Sequence, residues 1–338
     1  MAPRFTPAFR ARVRTHVARF GGGTRARAAW EVGITLVLYV AGLAALPWAA
    51  ELARGHSFLE KLAGAGACVA LGLMLVGVYV RTFLLNHDLL HGALFASPRV
   101  QRGVALVTGT LSCTTPSVWK REHDRHHRDS NNLDCEQDGQ TASWTLARYA
   151  GAPTWQRLAY RSLNVPWTMY TVLPLAYFFG FMRVKARLYE NVAAALFFAV
   201  LWQTGRLGYF FATFWAASVL GFYLFHLQHT FPGVYKRRSA AWSPFDNAML
   251  GSSFLDLPRG RVLGPVLRWF SYGVEYHHVH HLNPRIPGYR LARCHEAGGD
   301  AFDGCPRVTL GGGLRTLRDS LYDEARDELT GFPDRRAR

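Results

Sequence analysis

LAGAGACVALGLMLVGVYVRTFLLNHDLLH, residues 62–91, decides how the rest of the chain is read. Residues 62–85 are Gly- and Leu-rich and apolar, with Arg81 near the end and Asn86 just past it. That length suits a bilayer span. His87 and His91 follow at i and i+4, so on a helix they share one face. An apolar run that ends in paired imidazoles implies a metal site at a membrane boundary, because imidazole is the commonest metal ligand.

Working outward toward the N-terminus, residues 31–50 are almost uninterruptedly apolar, with Trp30 and Trp48 at the ends as interfacial aromatics. About 20 residues rising about 1.5 Å each give about 30 Å, one hydrocarbon thickness. Residues 1–29 carry Arg4, Arg10, Arg12, Arg14, Arg19, Arg25 and Arg27 and no acid. This is the positive-inside pattern and places the N-terminus in the cytoplasm. The long arginine-rich region, the spanning length of the run and the lack of a small-residue cleavage site argue against a signal peptide. The net charge of +16 would by itself allow nucleic acid as a partner. The position of the arginines, with no recognised module beside them, argues for none.

Downstream, residues 103–118 are apolar but short. Crossing there would separate the first two His clusters, so a re-entrant or interfacial helix is expected. The same parity argument lays 165–182 in the interface, with Arg183, Lys185 and Arg187 inside. Residues 189–205 and 207–226 then form a hairpin around Gly205-Arg206. The expected fold is an all-α integral membrane protein. It has four transmembrane helices (31–50, 62–85, 189–205, 207–226), interfacial helices, and a cytosolic His-rich cap of 87–164 and 227–338 holding a two-metal site. A basic cytosolic arm (1–29), a membrane domain (30–305) and a cytosolic tail (306–338) divide the chain, and the mixed-charge pattern of Leu314 to Leu329 predicts a surface helix. Apolar residues make up 49% and charged residues 18%, which fits a membrane class. No ionisable group lies in the middle of any of the four spans, which argues against an ion transporter. The five cysteines are scattered and lack CxxC spacing, so neither a disulfide framework nor a thiolate site is expected.

Eleven of the fourteen histidines fall in four clusters. Besides His87 and His91, these are His123, His126 and His127; His226 and His229; and His277, His278, His280 and His281. The spacings i, i+3, i+4 in the second and fourth clusters aim three rings at one point. His87, His91, His123, His126, His127, His277, His280 and His281 are the eight firm ligands, with His229 the ninth. Nine donors exceed the need of one ion and suit two. His226 is a partner behind the ligands or a polar interfacial residue. His278 points off its cluster's face, His295 has no evident partner, and His16 and His56 are incidental. Asp88, Asp124 and Glu275 are the nearest carboxylates, each either orienting a ligand ring or serving as surface charge. A zinc peptidase is disfavoured by the missing HExxH. An all-imidazole pair beside lipid fits iron and O2 better, although imidazole also suits zinc and copper. Arg183, Lys185, Lys236, Arg237 and Arg238 either attract anionic headgroups or an acidic electron donor, or simply obey the positive-inside rule.

The segments HDLLH (87–91), HDRHH (123–127), LQHTFPGVY (227–235) and EYHHVHHLNPRIPGYRLARCH (275–295) resemble those of the bacterial membrane fatty acid desaturases, most of all the acyl-lipid omega-6 (Delta-12) group. The resemblance runs from about residue 30 to 296. It implies a di-iron centre ligated by His87, His91, His123, His126, His127, His229, His277, His280 and His281. It also implies O2 as co-substrate, a ferredoxin or cytochrome-type electron donor, and a bent tunnel for an acyl chain carried on lipid, CoA or carrier protein. The location it implies is the bacterial inner membrane, with both termini cytoplasmic. The additional His226 leaves open which of the pair 226 and 229 binds iron. The three boxes alone define a wider superfamily, so the alternative is a di-iron hydroxylase or ketolase acting on an acyl chain, alkane or carotenoid. No His-Pro-Gly-Gly haem motif is present, so no fused cytochrome domain is expected. The double-bond position and oligomeric state are not legible.

Overall fold

A computed structural model describes residues 5–135, 143–258 and 260–333. The longest helix, Phe58–Leu90, starts at a capping box. The Ser57 hydroxyl accepts the Glu60 N–H at 3.2 Å, and the Glu60 carboxylate accepts the Ser57 N–H at 2.9 Å. Its 33 residues rise about 50 Å. That exceeds the roughly 30 Å of hydrocarbon, so the helix can cross a bilayer and still carry its last turns beyond it.

Phe58–Leu90 packs along Arg25–Ala53, and Leu207–His229 lies against both. These three helices are long and apolar enough to cross a membrane. Their buried faces meet in a core that includes Tyr39, Leu43, Leu75, Val78, Tyr79, Phe210 and Phe214. Tyr79 stands edge-on to Tyr39 at 4.9 Å and to Phe210 at 5.6 Å, a favourable aromatic geometry. Val37, Val40, Leu62, Val69 and Leu73 point outward and are exposed. Such a continuous apolar exterior is stable when its solvent is lipid.

The fourth expected span, 189–205, is the helix Leu188–Gln203. Its 16 residues rise about 24 Å, short of the hydrocarbon thickness. Gly205, at φ 67°, turns the chain into Leu207–His229. The expected single helix over 103–118 is corrected to two. Pro98–Leu111 ends before Cys113, whose φ is 55°, and Pro116 opens Pro116–Asp129 instead of merely closing a run. Both helices start at proline, whose missing N–H costs nothing in the first turn. Residues 168–184 alternate between π-helical pieces, Thr168–Val172 and Ala176–Phe181, and short α-helical ones.

The molecule is mostly helical but not all-α. Phe254–Asp256 pairs in parallel with Arg307–Thr309. Trp144–Thr145 pairs in parallel with Leu321–Asp323, which pairs antiparallel with Glu328–Thr330. The helix expected over Leu314 to Leu329 is therefore a 3₁₀ turn, Leu314–Thr316, followed by a hairpin. Burial of Leu321 and Tyr322 against the body overrides the weak helical pattern of the segment. Its charges serve in ion pairs, Arg237 with Asp327 at 2.6 Å and Arg238 with Glu324 at 2.8 Å.

At the other end of the chain, Pro7–Ala18 seats Val13 and Val17 in a second core with Phe245, Met249, Val279 and Phe302. The basic arm is thus partly a packed helix. Near the His-bearing end of Phe58–Leu90, Arg81 is buried and pairs with the Glu31 carboxylate. Its Nε donates to Thr35 Oγ1 at 2.9 Å. Its guanidinium lies over the rings of Trp269 at 4.0 Å and Tyr272 at 4.7 Å. One side chain thereby ties two long helices to the helix Leu263–Ser271, which leads directly into the last His cluster.

Candidate metal centre

Four helices deliver the imidazoles. His87 lies in the last turn of Phe58–Leu90 and His91 caps it. His123, His126 and His127 project from Pro116–Asp129, and His229 ends Leu207–His229. The short helix His277–Leu282 supplies His277, His280 and His281. The rings fall into two groups. His87, His91, His123, His127 and His280 form one, and His126, His229, His277 and His281 the other. Within each group one nitrogen per ring lies within 4.8 Å of all the others.

The contacts inside the groups do not fit ordinary hydrogen bonding. In the first, His127 Nε2 faces both His123 Nε2 at 3.0 Å and His280 Nε2 at 2.9 Å. In the second, His277 Nε2 faces both His229 Nε2 at 2.8 Å and His281 Nε2 at 3.0 Å. A ring nitrogen has one in-plane position, a lone pair or an N–H, and cannot serve two partners there. Donors held about 2.1 Å from one ion at right angles would lie about 3 Å apart. The observed spacings suit a shared cation in each group. His91 Nε2 and His126 Nδ1 are buried with no hydrogen-bond partner, a cost that a ligated ion removes from the first of these.

Electrostatics point the same way. Burial first, and neighbouring imidazoles second, push His123, His127, His277, His280 and His281 well below the ordinary histidine range. His126 is pushed down to about 3 by burial and by His87. Neutral imidazoles with free lone pairs are the form that binds metal.

Behind the rings, Asp88 Oδ1 accepts from His87 Nδ1 at 3.1 Å, and its Oδ2 accepts the Gly288 N–H at 2.7 Å. A carboxylate behind a histidine fixes the ring and raises its basicity. A Cβ on Gly288 would come within 2.1 Å of the Tyr272 carbonyl, so glycine is required for this approach. Asp124 instead pairs with Lys120 at 2.7 Å on the surface, and Glu275 accepts the Ser271 hydroxyl at 2.6 Å. Of the three carboxylates singled out from the sequence, Asp88 alone touches a ring of either group.

The remaining histidines separate clearly. His229 enters the second group, whereas His226 Nε2 lies 3.0 Å from Thr316 Oγ1. His278 belongs to neither group. Contrary to the expectation for His295, the two are partners, His278 Nε2 lying 2.9 Å from His295 Nδ1. Trp119, which sequence reasoning missed, stacks on His123 at 4.1 Å. Its position four residues before His123, on the same helical face, was the available signal. Among the five basic residues considered for headgroup or donor binding, Lys236 is buried, and Arg237 and Arg238 are ion-paired.

A cavity of about 780 Å³ opens onto both groups, touching His87, His123, His126, His277 and His280. Its other walls are largely apolar, among them Phe83, Leu84, Phe178, Phe181, Phe214 and Phe222. The π-helical stretch supplies one side; such distortions often mark functional sites. The volume is in the range of small-molecule sites, and the lining suits a hydrocarbon.

Comparison with known proteins agrees with this chemistry. A profile of the family described as "Fatty acid desaturase" matches residues 61–306, which contain all four His clusters. The chain is 31% identical over 279 residues to "Fatty acid desaturase" of Bacillus subtilis (strain 168), covering 78% of this chain and 77% of that protein. It is 28% identical over 192 residues to "sn-1 oleoyl-lipid 12-desaturase" of Synechocystis sp., covering 52% of each. It is 22% identical over 236 residues to "Omega-6 fatty acid desaturase, chloroplastic" of Arabidopsis thaliana, covering 64% of this chain and 49% of that protein.

Proposed function

The chain belongs to the fatty acid desaturase family and is an oxidoreductase, and from that premise we propose that it places a cis double bond at the Delta-12 (omega-6) position of a lipid-linked acyl chain. We assign the reaction to two iron ions, one held by His87, His91, His123, His127 and His280, the other by His126, His229, His277 and His281. The observation that carries this reading is the convergence of nine imidazoles in two groups, five of the rings lining a largely apolar cavity. The position of the double bond is supported by the printed names of the cyanobacterial and chloroplast relatives.

Iron bound there supplies the reduction of O2 and the removal of hydrogen from two adjacent methylenes. The protein supplies position. An unactivated chain offers many equivalent CH2 groups, and the aromatic walls of the cavity hold one pair against the imidazole-lined end. They also keep bulk water away. Conversion of CH2–CH2 to CH=CH releases two electrons and two protons, whereas reduction of O2 to two waters takes four of each. The other two electrons come from a separate reductant, which we assign to a ferredoxin or cytochrome-type protein.

We further propose residence in the bacterial inner membrane with both termini cytoplasmic, supported by the seven arginines before the first span. Four crossings follow if Leu188–Gln203 pairs with Leu207–His229 as an outward hairpin. In this scheme residues 1–29 are a basic arm and 306–338 a tail flanking the desaturase domain of 30–305. Gas chromatography and mass spectrometry of fatty acids from a host expressing the chain test the reaction. The expected product has lost two hydrogens; a product that has gained one oxygen would identify a hydroxylase.

A further inference from the structure

Behind His229 lies a buried polar relay that uses none of the nine ligand rings except His229 itself. His229 Nδ1 donates to the Gly251 carbonyl at 3.0 Å. The same carbonyl accepts a second hydrogen bond, from Asn131 Nδ2 at 3.0 Å. The Asn131 amide also donates to Asn247 Oδ1 at 2.8 Å, and its oxygen accepts from Lys236 Nζ at 3.0 Å. Asn247 in turn donates to Ser130 Oγ at 2.9 Å. Asn131, Asn247, Lys236 and His229 are each at most 3% exposed. A buried ammonium is costly unless it has a purpose or a partner, and the Lys236 ammonium meets the neutral amide oxygen of Asn131.

The backbone is built around the same point. Asn131 sits at φ 61°, a left-handed conformation that asparagine tolerates better than most residues. Its carbonyl accepts the Arg237 N–H at 3.1 Å, which brings the Lys236 segment alongside. A Cβ on Gly251 would come within 2.3 Å of Asn247 Oδ1 and 2.6 Å of Asn131 Nδ2, so only glycine lets both amides reach that carbonyl region.

We propose that Lys236 and Asn131 are positioning residues for the four-histidine group alone. The ammonium fixes which end of the Asn131 amide faces Gly251. The amide then holds the Gly251 carbonyl where it sets the ring of His229, leaving His229 Nε2 aimed at His277. The five-histidine group has its own separate device, Asp88 behind His87. The two metal positions are therefore tuned by different parts of the chain, one from within a long helix and one from the loops around residues 131, 236 and 251. This inference rests on the metal assignment above.

Iron content per chain and the rate of iron release to a chelator test it, on full-length protein in detergent. Wild-type protein is expected to hold two ions. N131A is expected to release one of them about 10- to 100-fold faster, the usual effect of removing a group behind a ligand, with the other ion unchanged. D88N is expected to show the same pattern, but with retention of the ion that N131A loses. Extraction of one ion should leave the spectroscopic signature of an isolated ferric centre, different for the two variants. K236M, which keeps the volume of the side chain, decides the matter if N131A does not fold. Release of both ions at the wild-type rate from folded N131A or K236M would overturn the inference. Equal loosening of both ions would also overturn it, since a general loss of packing would act on the two groups alike. A wild-type protein without metal would instead overturn the metal assignment.

Discussion

His226 and His229 lie one helical turn apart, yet their surroundings give them different work. His229 Nε2 meets His277, while His226 meets the hydroxyl of Thr316 and the ring of Tyr170. H229A is expected to lose one of two bound ions and all activity. H226A is expected to keep both ions and lose about 1 kcal/mol of stability, the worth of one buried hydrogen bond; metal analysis and thermal unfolding separate the two outcomes. The sequence favoured His229 but left the pair open, because the deciding contacts come from residues 277 and 316, far away in the chain. Titration gives a second test at this scale. Burial holds His126 and His278 at about 3, against about 6.5 in an unfolded chain. Between those values the unfolded chain binds more protons than the folded one, so stability is full above about pH 6.5 and falls as the pH drops below it. Bound metal adds to this trend, since protonation competes with ligation. Unfolding midpoints should stay level from pH 8 to about pH 6.5 and decline from there to pH 4.5; a profile that is flat throughout would contradict the burial of these rings as neutral species.

Among the elements, those whose role is local were legible. Spacings of three and four residues placed three of the four His clusters on helices, and runs of apolar residues located the long helices. What escaped depends on distant partners. The segment 314–329 carries a mixed-charge pattern compatible with a helix, but its strands form because Leu321 and Tyr322 find a buried place beside Trp144–Thr145. The break at Cys113 and the π-helical stretch around Pro174 were also missed, although each has a local signal, Pro116 after the break and Pro174 within the stretch. The Arg81 clamp joins the elements that deliver the first and last boxes. R81M is expected to lower stability by about 3 kcal/mol, because Glu31 stays buried with Arg27 as its remaining cation. The double variant R81M/E31L should recover much of that loss in thermal unfolding, and no recovery would mean that the clamp acts mainly through Trp269 and Tyr272. Gly221 on Leu207–His229 lines the cavity, and a Cβ there meets nothing within 4 Å. G221F is therefore expected to insert normally while narrowing the cavity. Conversion of the longest accepted acyl chains should fall about tenfold or more relative to shorter ones in a competition assay. An unchanged product profile would place the acyl chain elsewhere.

The whole molecule divides its tasks between a lipid-facing bundle and a packed cap in which distant loops converge. Three long apolar helices set its place in a membrane, and the ends of two of them, with two cap helices, bring nine imidazoles together. Because insertion depends on the helices and not on the rings, H280A is expected to reach the membrane at wild-type levels while losing activity. What the rings hold is read most directly from the iron content of full-length protein purified from iron-supplied cells without chelators. Two iron ions per chain are expected, with coordination dominated by imidazole nitrogen in the iron X-ray absorption spectrum. A single ion, a different metal at full occupancy, or sulfur in the coordination shell would contradict the two-iron assignment.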